Sequence, residues 1–240
     1  MTDGYAAAHV RAAEAALIAA GEPLMQRAAA GLASVLEELL AARLADPDLA
    51  ADGPGSVLLL VGSGDNGGDA LFAGAALAAS GVDVAIARTS TLVHQDGLQA
   101  ALAAGARQLG EAPTPTDDAV AAAKDADLIV DGIVGTGASI DPTLRGAALE
   151  LVQALLPVVQ SHRGPTVVAV DLPSGIDADE GTVPDGSVLP AEVTVTFGAV
   201  KAGLLIPPAS AYAGDLRFVD IGLLPELDGV EPLVTVAREV

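Results

Sequence analysis

The chain has no cysteine and no tryptophan, two tyrosines, three phenylalanines, and 11 basic residues against 32 acidic ones among 240. Without cysteine there is neither a disulfide nor a thiolate metal site. At 2% aromatic and 51% hydrophobic, its core has to be built from Ala, Val, Leu and Ile. The formal charge of −21 excludes a general binder of nucleic acid or anionic membrane, because phosphate contacts need Lys and Arg. An anionic ligand therefore has to be held locally, by backbone amides or a bound cation. No uninterrupted apolar run reaches the roughly 18 residues of a membrane span. The opening "MTDGYAAAHVRAAEAAL" lacks a basic segment followed by an apolar one. A cytoplasmic protein with no nucleic-acid or membrane partner is expected.

What is present is alternation. Two alanine-rich segments, 6–20 and 23–45, have high helix propensity and are broken at Gly21–Pro23. Then come "SVLLLVG", "VDVAIAR", "DLIVDGIVG", "TVVAVDLPSG", "VTVTFGA" and "LRFVDIGLL", short apolar runs that read as fully buried strands. Helix-like segments lie between them, near 68–80, 96–109, 117–124 and 144–160, while a Gly- and Pro-rich stretch joins the last two strands. This pattern predicts an α/β fold, a Rossmann-like three-layer αβα sandwich with a mostly parallel central sheet. A single domain over 1–240 is expected, with opening helices at 6–45, sheet and site at 56–222 and a tail at 223–240. Ligands of such sheets sit outside the carboxyl ends of the strands.

Three polar motifs end strands there. "VGSGDNGGDAL" places Gly62, Gly64 and Gly67 at GxGxxG spacing between a strand and a helix. That spacing suits either a tight turn or a helix N-terminus facing an anion, with Gly67 and Gly68 allowing close approach. "DGIVGTG" sets Asp131 at a strand end before the flexible corner Gly135-Thr136-Gly137, and "DLPSG" sets Asp171 before Pro173 and Ser174. Asn66, Asp131, Asp171 and Ser174 all offer oxygen, which suits a hard cation better than a transition metal. His9, His94 and His162 are scattered and read as surface or structural residues. Lys201, just beyond a strand, reads first as a surface or structural ion pair and stays outside the catalytic set.

These motifs, with "VAVDLPSGIDADEG", "TVTFGAVKAGLL", "AGDLRFVDIGL" and the opening "VRAAEAALIAAGEPLMQRAAAGLA", resemble the NAD(P)H-hydrate epimerases, the YjeF N-terminal-domain family. The resemblance runs in order over nearly the whole chain. It implies interconversion of the R and S forms of hydrated NADH and NADPH, with a potassium ion held by Asn66, Asp131 and Ser174. It implies substrate contacts from Asp65, Asn66, Gly67, Gly68, Asp69, Gly135, Thr136, Gly137, Ala138, Ser139 and Asp171. A homodimer through the opening helices, and a dehydratase acting in the same pathway, are implied as well. Two departures stand out. Asp65 and Ala70 replace the usual Asn and Gly of the loop, and the segment before Arg145 is about one residue longer than usual.

The implied reaction protonates the hydroxyl on the reduced ring, expels water with help from the ring nitrogen, and returns water to the other face. Asp171 is the expected catalytic residue, acting as acid and then base. Two other readings stand beside this one. A nicotinamide-dependent dehydrogenase would use Arg88 and Ser90 for a 2′-phosphate, and a non-catalytic module would use the fold for interaction alone.

Overall fold

The computed structural model describes residues 1–48, 53–137 and 141–237. In chain order the elements are β1 (Thr2–Gly4), α1 (Ala7–Ala19), α2 (Leu24–Ala45), β2 (Ser56–Val61), α3 (Asp65–Ala79), β3 (Asp83–Arg88) and α4 (Gln95–Ala103). They continue with β4 (Arg107–Gln108), α5 (Thr116–Asp125), β5 (Leu128–Gly132), α6 (Gly146–Val159), β6 (Thr166–Val170), β7 (Val193–Phe197), β8 (Asp215–Val219) and β9 (Val234–Val236). Short 3-10 turns at Ala202–Leu205 and Ala209–Ala211 make the crossover between β7 and β8.

Seven strands form one sheet in the order β4-β3-β2-β5-β6-β7-β8, and every pairing in it is parallel. All six expected strands belong to it. Strand β2 shows why those runs are apolar throughout. Val57, Leu59 and Val61 face the layer of α1–α4, while Leu58 and Leu60 face α5 and α6. With both faces covered, a strand has no polar side to display. The strand order reverses direction between β2 and β5, and the crevice at such a switch point is where ligands bind in open α/β sheets.

Three boundaries differ from expectation. Helix α3 begins at Asp65 rather than at Gly68, so the acidic loop residues form its first turn, where the helix dipole favours negative charge. Helix α4 stops at Ala103, because Gly105 at φ +109° turns the chain back for the two-residue edge strand β4. The tail is not a simple extension either: β9 returns to pair antiparallel with β1, Thr2 opposite Val236. Tyr5 then bridges to Lys201 in parallel, with Tyr5 N donating to Val200 O at 2.8 Å and Ala202 N to Tyr5 O at 3.0 Å. The chain's first residues thus clamp the segment that follows β7.

Candidate functional site

A cleft of about 430 Å³ opens at the switch point, walled by the first turn of α3, the segment after β5, and α1. Asp65, Asn66, Asp69, Gly135, Thr136, Gly137 and Asp171 line it. Ala138 and Ser139 lie outside the described residues. Gly67 and Gly68 do not face the cleft. A Cβ on Gly67 would come within 2.5 Å of Gly62 O, and one on Gly68 within 3.1 Å of His94 and Met25. The close approach these glycines permit is between chain segments, since both are buried in the helix.

Asp131 and Ser174 meet directly beneath the cleft wall. Ser174 Oγ donates to Asp131 Oδ1 at 2.6 Å, Ser174 N donates to Oδ2 at 2.9 Å, and Val134 N donates to Ser174 Oγ at 2.9 Å. Burial pushes the Asp131 carboxyl upward, opposed by the hydrogen bonds from Ser174 and Ile133. Asn66 joins them from α3, with its Nδ2 donating to Val170 O. A Cβ on Gly135 would stand 2.0 Å from Asn66 Oδ1, so only glycine lets that segment close on the amide. The three oxygen-bearing residues therefore converge, at the ends of β5 and β6 and the start of α3. Asp131 is 1% exposed and none of its hydrogen-bond donors is charged. That donor chemistry, with a buried carboxylate beside amide and hydroxyl oxygens, fits a hard monovalent cation.

Asp171 follows β6 in a left-handed conformation, φ +68°, a backbone that costs energy for a residue other than glycine. Its Oδ1 accepts from Phe197 N at 3.2 Å, from Thr196 Oγ1 at 3.3 Å and from Lys201 Nζ. Lys201 is 1% exposed and also donates to Phe197 O at 3.0 Å. The ion pair expected for this lysine exists, but it is buried at the site and not on the surface. A buried lysine without its partner would be expensive, so the pair holds both groups in place.

Two further residues complete the electrostatics. Asp69 on α3 lines the cleft at 6% exposure, and its Oδ1 is buried with no hydrogen-bond partner. Burial raises its carboxyl well above the ordinary value, reinforced by Asp171, Asp65 and Glu14 and opposed by Lys201. Glu14, from α1, also lines the cleft. Burial raises it, Lys201 lowers it, Asp171 and Asp65 raise it further, and Arg11 lowers it. Helix α1 is tied to the opposite wall by Arg11, whose guanidinium donates to Thr136 O. Glu14 and Arg11 lie on an alanine-rich helix and carry no motif of their own, so sequence reasoning passed over them. Lys201 carried one signal, its place just beyond a strand in a chain with so few cations.

Of the histidines, His94 caps α4 by accepting from Gly97 N at 3.1 Å and packs edge-on against Phe72, while His9 and His162 are exposed. Arg88 does not reach the cleft. Its guanidinium donates to Gln108 and to the carbonyls of Ser90 and Thr91, which leaves it poorly placed for a 2′-phosphate. No helix among the described residues is long and apolar enough to cross a membrane.

Comparison with known proteins identifies the family. The family described as "YjeF-related protein N-terminus" matches residues 21–203. A protein of Clavibacter michiganensis named NAD(P)H-hydrate epimerase is 50% identical over 240 residues, covering 99% of this chain and 97% of its own. One of the same name from Microbacterium testaceum is 47% identical, covering 98% and 85%. The bifunctional NAD(P)H-hydrate repair enzyme Nnr of Mycobacterium leprae is 41% identical over 93% of this chain and 42% of its own. Among solved structures, yeast ynu0 matches with a TM-score of 0.70 at 19% identity, covering 83% of this chain and 82% of that one, and it supports the fold. The chain belongs to the YjeF-related protein N-terminus family.

Proposed function

We propose that this protein is an isomerase, an NAD(P)H-hydrate epimerase that interconverts the S and R forms of hydrated NADH and NADPH for nucleotide repair. The observation that carries the reading is a cleft lined by Asn66, Asp69 and Asp171, with the Asp131–Ser174 pair bonded behind its Val134 wall, in a chain 47–50% identical to proteins of that name. The acid-rich part of the cleft, with Glu14, Asp65, Asp69 and Asp171, repels phosphate and suits the uncharged hydrated ring. The diphosphate would lie nearer the glycine-bearing wall at residues 135–137.

Asn66, Asp131 and Ser174 would hold a potassium ion, which when bound supplies positive charge beside the anionic nucleotide. The chain's own residues orient the ring and handle the proton. Asp171 is fixed by Lys201, Thr196 and the Phe197 amide, so it meets the ring's hydroxyl-bearing carbon from a set direction. Such positioned proton transfer contributes about 10²–10⁴-fold. A dehydratase would act on the epimer produced here, and a homodimer through α1 and α2 remains part of this proposal.

The test is to supply purified S-hydrated NADPH and R-hydrated NADPH separately and follow both by chromatography. Each should relax to the same mixture faster than the enzyme-free control. Oxidation of NADPH with a carbonyl compound, and no interconversion, would favour the dehydrogenase instead.

A further inference from the structure

We propose that the proton is handled by two carboxyls rather than one. Asp69 delivers it to the leaving hydroxyl, and Asp171, held by Lys201, receives it from the incoming water. This rests on the epimerase reading and assigns the two roles within it.

The two side chains share the cleft but not the environment. Asp171 Oδ1 takes three donors, one of them a buried ammonium, which is the setting of a carboxylate. Asp69 Oδ1 is buried and takes none. A carboxylate spreads its charge over both oxygens, so a bare buried oxygen penalises the ionised form, whereas the neutral acid keeps its hydrogen to give. Its charged surroundings act in the same direction. Asp171 beyond β6, Asp65 on its own helix and Glu14 on α1 disfavour a further negative charge, and Lys201 alone opposes them. From α2, Arg27 is turned to Ile221 O and Glu22. The His94 Nδ1 at the start of α4 is occupied by the Gly97 amide. One carboxyl paired with a buried ammonium and one with a bare buried oxygen, in the same cleft, suit the separate roles of base and acid.

The Asp69 O–H proton passes to the ring hydroxyl, and the C–O bond breaks with its electron pair leaving on water. The ring nitrogen lone pair stabilises the cation. A water oxygen then bonds the same carbon from the other face and loses a proton to Asp171. The nucleotide keeps its atoms, and one proton has moved from Asp69 to Asp171. It returns in a turnover of the reverse direction or by exchange with water in the cleft.

Wild type, Asp69→Asn and Asp69→Glu are assayed with both hydrated epimers of NADPH from about pH 5 to 9, after circular dichroism has confirmed the fold. The Asn variant should lose about 10²–10⁴-fold in kcat with KM within about threefold, and the Glu variant should recover at least about a tenth of wild-type kcat. Wild-type kcat/KM should fall on the alkaline side as the acid loses its proton. That limb should be missing from the Asn variant's residual activity and displaced in the Glu variant. Turnover of the Asn variant within about threefold of wild type, or an alkaline limb unchanged in it, would overturn the assignment. Should the Asn variant misfold, the Glu variant decides, an undisplaced limb overturning it. Failure of wild type to interconvert the epimers would instead reject the epimerase reading itself.

Discussion

Asp127 and Asp69 are both 6% exposed, yet they sit at opposite ends of the sheet and in opposite hydrogen-bonding surroundings. At the end where the strands begin, Asp127 accepts from Ser56 N at 2.8 Å, from Ser56 Oγ at 3.0 Å and from Arg43 Nε at 3.4 Å. Arg43 extends that network to Thr166 Oγ1 and Gly164 O, so one buried acid ties α2 to β2 and β6. At the end where the strands finish, Asp69 keeps an oxygen without any partner among several other acids. The first arrangement satisfies every charge and serves the fold. The second leaves stabilisation unrealised, which is expected where a ligand must supply it.

The contrast can be broken most severely at Asp171. Replacing it with Asn should lower epimerisation by about 10²–10⁴-fold and also destabilise the chain, because Lys201 loses its buried counter-charge. The double variant Asp171→Asn/Lys201→Met should recover most of that stability by urea unfolding but none of the activity. Recovered activity would show that the pair serves structure alone.

At the other end, Arg43→Met should cost about 3 kcal/mol of stability, the lower part of the range for breaking a buried pair. Urea unfolding measures the loss, and kcat of the folded protein should be unchanged. A changed kcat would dissolve the division between the two ends.

Potassium sharpens the comparison. If Asn66, Asp131 and Ser174 form its cage, potassium at about 100 times its dissociation constant should stabilise the protein by about 2.7 kcal/mol. A large organic cation at the same ionic strength should not, and Asp131→Asn should remove the effect. Equal melting curves in both salts would reject the cage.

The smallest effect is a pH dependence of stability. Folding raises the Asp69 carboxyl above its unfolded value. Its contribution is therefore fully present below the unfolded value of about 3.9 and is lost as pH rises through the raised folded value. Asp69→Asn should thus gain on wild type in unfolding free energy as pH increases. A difference that stays flat with pH would place Asp69 as an ordinary solvated acid.

The buried strands and the three strand-end motifs were legible because each is a local pattern, an apolar run bounded by a turn. The start of α3 was not. Asp65, Asn66, Gly67 and Gly68 have low helix propensity and read as loop, but Gly62 and Gly67 pack so closely that tertiary contact decides. Pairing of β1 with β9 joins opposite ends of the chain through a "TDG" segment with no strand character of its own. The same distance hid Lys201. Its burial depends on Tyr5 and Asp171, neither of which its sequence neighbours reveal. What could be read was which residues carry oxygen at the site, and what could not be read was which of its acids is paired.

The most direct test of the account is epimerisation of S-hydrated NADPH in water enriched in oxygen-18, corrected for the enzyme-free rate. Inversion by loss and return of water predicts R-hydrated NADPH whose ring hydroxyl carries the solvent's heavy oxygen. Formation of no R form, or of an R form that keeps its original oxygen, would contradict it.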